Sequence, residues 1–93
     1  MVNYKIVGKP LTHDEMLEIV RSGTNLYAID TKNKEVVGVK AYGISINLET
    51  KQWEFMFFDE HLFEENELIF KTKRSAELYL KRKLMNEKWN YLV

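Results

Sequence analysis

Cysteine is absent from the 93 residues. That absence excludes disulfides, thiolate metal sites and cysteine nucleophiles together, and it fits a reducing compartment. Proline occurs once, at Pro10, and the four glycines at 8, 23, 38 and 43 lie too far apart to form a phosphate-cradling loop. Apolar runs last only a few residues, far short of the roughly 20 needed to span a bilayer. The first ten residues carry Lys5, Lys9 and Pro10 without an apolar core, so a signal peptide is not expected. Internal repeats, low-complexity tracts and linkers are also lacking. These absences lead to the expectation of a single cytoplasmic domain over residues 1–93 with no membrane partner.

The chain does hold apolar side chains in quantity. Hydrophobic residues make up 45% and aromatics 13% of the sequence, which excludes wholesale disorder. Lys/Arg and Asp/Glu balance at 14 each, which argues against a general polyanion binder. The balance conceals a split. Residues 1–70 hold seven Lys/Arg against twelve Asp/Glu, a net of −5, whereas residues 71–93 hold seven against Glu77 and Glu87, a net of +5. That is either a charged face or two segments that attract each other.

Alternation over 2–7 marks a strand, ended by Gly8-Lys9-Pro10. Thr12 and Glu15 then stand at capping-box spacing, with Leu11 and Met16 placed as a hydrophobic staple. Met16, Leu17, Ile19 and Val20 supply an apolar stripe and Gly23 a left-handed stop, so a helix is expected over 11–22. Residues 25–30 read as a strand, 31–34 as a polar turn and 35–47 as one long strand. Val37, Val39 and Ala41 have one parity and Ile44 and Ile46 the other, so a bulge or bend near Gly43 would turn both sets to the core. Residues 52–58 are apolar on both faces, which suggests a central or covered strand. A short strand at 68–71 leads to a helix from Lys73 capped by Thr72. The expected fold is α+β: an antiparallel four- to five-stranded sheet packed against two helices, in the order β-α-β-β-β-β-α.

The C-terminal segment is unusual. At about 100° per residue, Ala76, Tyr79, Leu80 and Leu84 share one helix face, an ordinary core stripe. Leu78 and Met85 fall nearly opposite, and Trp89 and Leu92 join them if the helix continues past Asn86. Two explanations stand. The helix stops near Asn86 and residues 88–93 fold back over Leu78 and Met85, or the second stripe meets a partner, either a second copy (a dimer) or another protein. Under the second reading Leu78, Met85, Trp89, Leu92, Arg74 and Arg82 are the partner-binding residues, of types enriched at interfaces. A nucleic-acid alternative uses Lys73, Arg74, Lys81, Arg82 and Lys88 for phosphates, with aromatics between them for stacking.

Catalytic signals are sparse, and no catalytic residue, metal ligand set or cofactor site is assigned. His13 reads as an exposed first-turn residue. His61 with Asp59, Glu60, Glu64 and Glu65 is a weak ligand set without calcium-loop spacing. Asp30 at a strand end reads as a turn former rather than an acid–base partner. A small metal-dependent or acid–base enzyme is the third-ranked reading.

The strand-to-helix passage Leu68-Ile69-Phe70-Lys71-Thr72 followed by Arg74-Ser75-Ala76-Glu77-Leu78-Tyr79-Leu80 resembles that of small uncharacterised α+β proteins from phages, prophages and mobile elements of low-GC Gram-positive bacteria. The abundance of Lys, Glu, Asn and Ile agrees. The resemblance covers the last third of the chain and implies an accessory protein acting by binding, such as an inhibitor of a host factor. It implies no catalytic residue.

Overall fold

A computed structural model describes residues 4–58 and 67–92, with side chains described over 4–58 and 68–86. The element order is β1 (Tyr4–Ile6), α1 (His13–Ser22), β2 (Leu26–Asp30), β3 (Glu35–Val39), β4 (Ala41–Asn47), β5 (Gln52–Phe57), β6 (Glu67–Ile69) and α2 (Lys73–Leu92). The α+β class holds, but the sheet differs from the expected one.

Instead of a single antiparallel sheet, the strands form three two-stranded ladders, β1–β6, β2–β3 and β4–β5. The first is parallel, with Tyr4 opposite Glu67 and Ile6 opposite Ile69. Alternation identifies a strand but carries no information about a partner sixty residues away, and this long connection permits the parallel pairing. Tyr27 and Phe70 exchange both backbone hydrogen bonds, at 2.9 and 2.7 Å, joining β6 to β2. The hydroxyl of Tyr4 then links β1 to β5: it accepts from the Phe55 amide at 2.6 Å and donates to the Phe55 carbonyl at 3.1 Å.

The expected long strand 35–47 is two strands. Val39 closes the ladder with β2 opposite Leu26, and after Lys40 the chain switches to pairing with β5 at Ala41–Phe57. The expected bulge is present. Ala41 opposes Phe57 and Gly43 opposes Met56, so Tyr42 is the extra residue. Its insertion reverses the parity and puts Ala41, Ile44 and Ile46 on one face, but only Ala41 and Ile44 reach the core, whereas Ile46 near the hairpin end is 45% exposed. β5 is not central: its only ladder among the described residues is with β4. Phe55 and Phe57 are buried, whereas Trp53 and Phe58 are exposed.

Both faces of β2 are covered. Leu26 and Ala28 join Met16, Ala41, Phe55, Phe57 and Ile69 in the larger core, beneath α1 and the β4–β5 hairpin. Ile29 and Tyr27 face the other way, into a smaller core with Phe70, Ala76 and Leu80 beneath α2. Helix α1 is held at both ends. Thr12 and Glu15 make the reciprocal capping box at 3.2 and 3.0 Å. At the other end, left-handed Gly23 (φ 66°) and then Thr24 donate back to Val20 and Ile19, satisfying carbonyls the last turn leaves open.

The two hairpins share one loop design, a repetition that residue identities conceal. Asp30 and Asn47 each use one side-chain oxygen to accept amides two and three residues on. Each four-residue loop ends on a left-handed lysine, Lys34 (φ 55°) or Lys51 (φ 60°).

Candidate functional site

Helix α2 begins where β6 delivers it. Thr72 accepts the Ser75 amide at 3.2 Å through its hydroxyl, and its carbonyl accepts from Ala76. The helix then runs unbroken to Leu92, so it does not stop near Asn86, and the backbone of residues 88–92 continues it instead of folding back; residue 93 of the expected tail lies outside the described residues. The reason is local. No proline or glycine follows Thr72, and the segment is rich in good helix formers.

One face of α2 docks on β2 and β3. Ala76 is fully buried, and Leu80 and Leu84 are half-buried. Tyr79, expected in the same stripe, lies at its margin: it is exposed, with its ring 5.3 Å from that of Phe70. Opposite this face, Leu78 is 47% and Met85 52% exposed. The side chains of Trp89, Leu92 and Lys88 lie outside the described residues; positions 89 and 92 follow Met85 in the same helical register.

The electrostatics of the exposed surface of α2 are one-sided. Lys73 reaches Glu77 at 3.9 Å, an exposed i,i+4 pair that contributes only a few tenths of a kcal/mol. Arg74, Lys81, Arg82 and Lys83 are exposed and have no acidic partner among the described residues. The structure therefore places Arg74, Leu78, Arg82 and Met85 on one open surface. His61 and the surrounding acids lie outside the described residues.

Two concavities escaped sequence reasoning, because each is assembled from distant segments. A cleft of about 580 Å³ opens between β1, the start of α1 and β5, lined by Tyr4, Ile6, Leu11, His13, Met16 and Trp53 among others. The His13 ring lies 4.4 Å from that of Trp53. Two of the polar groups lining the cleft are already engaged, Tyr4 with the Phe55 backbone and Glu54 with Asn47 at 2.9 Å. A shallower groove of about 320 Å³ follows the seam between β3 and α2, floored by Val36, Leu80 and Leu84 and rimmed by Lys73, Glu77 and Lys81.

Neither concavity offers a catalytic set. Asp30 acts as a turn former: its carboxylate accepts the Lys32 and Asn33 amides and the Asn33 side chain. The Asn33 bonds, the backbone one first, hold it below the usual carboxylate range. Glu15 is lowered in the same way, chiefly by the Thr12 amide. Among the described residues no three His, Asp or Glu side chains are grouped to hold a metal, and no helix is long and apolar enough to cross a membrane. The chain matches no family model, no curated protein and no solved structure.

Proposed function

We propose that this chain is a non-catalytic interaction module that uses the outer face of α2 to bind another protein. The observation that carries the reading is the exposure of Leu78 and Met85 on a helix that already has a separate docking face in Ala76, Leu80 and Leu84. A helix needs one apolar stripe to pack on its own domain, so the second is available for a partner. Arg74 and Arg82 flank it and favour an acidic surface. A second copy is disfavoured in a symmetric arrangement, because it would bring these cations against their own kind. Binding by a phage- or mobile-element-encoded accessory protein, such as an inhibitor of a host factor, fits this reading, with Trp89 and Leu92 extending the contact along the helix.

A test is to tether the protein, capture partners from host lysate, and compare Leu78→Ala/Met85→Ala with the parent. The variant should keep its helical circular dichroism and lose the captured protein. If it unfolds instead, the stripe belongs to the molecule's own core and the reading fails.

The cations of α2 support nucleic-acid binding as a second reading, through Lys73, Arg74, Lys81, Arg82 and Lys88, of which Arg74, Lys81 and Arg82 have no acidic partner among the described residues. Its signature is affinity that falls steeply with salt. No binding to single- or double-stranded oligonucleotides at low ionic strength would eliminate it.

A further inference from the structure

The ladders leave the sheet with two edges of different character. On β5, the backbone amide and carbonyl of Phe55 both bond to the Tyr4 hydroxyl, so a dedicated side chain closes that edge. On β3 nothing comparable is present among the described residues. Tyr27 directs both its backbone groups to Phe70, so its pairing with Gly38 is of the type that makes no hydrogen bonds, and the Gly38 amide and carbonyl must point outward. Val36, two residues away, has the same orientation. Gly38 is also exposed. This outward row lies directly beside the groove between β3 and α2, whose floor includes Val36, Leu80 and Leu84.

We infer that the β3–α2 seam is a strand-addition site that takes an extended peptide of a partner protein, with acidic side chains along its outer side. The backbone groups of Val36 and Gly38 supply the hydrogen bonds, and the floor accepts every second side chain of the peptide. The acidic preference comes from Lys81, which rims the groove and has no acidic partner among the described residues, whereas Glu77 on the same rim is occupied by Lys73. Edges left open in this way otherwise invite uncontrolled pairing and are usually blunted. This site does not depend on the outer face of α2, since it uses the opposite side of that helix.

The experiment is selection from a random octapeptide library displayed on phage, followed by NMR amide exchange with the enriched peptides synthesised. Enriched sequences should alternate apolar and acidic residues, and saturating peptide should slow exchange at Val36 and Gly38 by about tenfold or more. N-methylation of alternate peptide amides should abolish binding while leaving every side chain in place. Gly38→Pro should do the same. It removes an amide that faces away from β2, and an added Cβ there meets the Asn25 side chain at an ordinary 3.5 Å. The inference is overturned if no peptide is enriched, if N-methylated peptides bind equally well, or if shifts map only to Leu78 and Met85. It is also overturned if protection of Val36 and Gly38 rises with protein concentration alone, which would identify a second copy as the occupant.

Discussion

Tyr4→Phe removes one oxygen atom and leaves the rest of its environment in place, including the edge-on ring contact with Phe57 at 5.2 Å. The lost hydroxyl is the partner of both the Phe55 amide and the Phe55 carbonyl. Phe55 is 2% exposed, so water has little access to either group. A buried polar group left without its partner costs about 1–3 kcal/mol, and two such groups at a partly buried site bring the expected loss to about 2–4 kcal/mol. For a domain of this size that lowers the melting temperature by about 10–25 °C. Urea denaturation with an unchanged m-value would measure the loss, and amide exchange would show whether Phe55 is the residue that opens first. A loss below about 0.5 kcal/mol would refute the argument that this hydroxyl seals the β5 edge.

Three further outcomes are expected. Lys51→Gly should stabilise the protein by about 0.5–1 kcal/mol in thermal or urea unfolding, because a left-handed lysine is strained where glycine is not. Ala76→Leu should destabilise it by about 1–3 kcal/mol, since the side chain is fully buried between α2 and the sheet and the added carbons have no space. Stability should decline in acid. The carboxyls of Glu15 and Asp30 are held below their ordinary range by backbone amides, so their contribution is present above the unfolded-state value and lost as pH falls through the folded one. Glu15→Gln combined with Asp30→Asn should flatten that acid limb in urea midpoints recorded against pH.

Local signals were readable from residue types alone, and long-range ones were not. The capping box at Thr12 and Glu15, the stop at Gly23, the turn at 31–34 and the bulge beside Gly43 each follow from side chains a few positions apart. Each appears in the fold as expected. The parallel pairing of β1 with β6 and the transfer of the chain from one ladder to the other at Lys40 depend on distant partners, which alternation does not identify. The apolar second face of 52–58 suggested a covered strand, yet Phe58 sits exposed against Tyr42, rings 4.8 Å apart. On the candidate surface, helical spacing alone separated Leu78 and Met85 from the docking stripe. The groove beside β3 could not be anticipated, because Val36 and Leu80 meet only through the tertiary fold.

The division of α2 into a docking face and an open face is the claim on which the functional reading rests, and paired alanine substitutions measured by urea denaturation test it most directly. Leu80→Ala should cost about 2–3 kcal/mol, as expected for a leucine packed against the sheet. Leu78→Ala and Met85→Ala should each remain within about 0.5–1 kcal/mol of the parent. Equal losses at Leu78 and Leu80 would show that the second stripe is part of the molecule's own core, and would contradict the account.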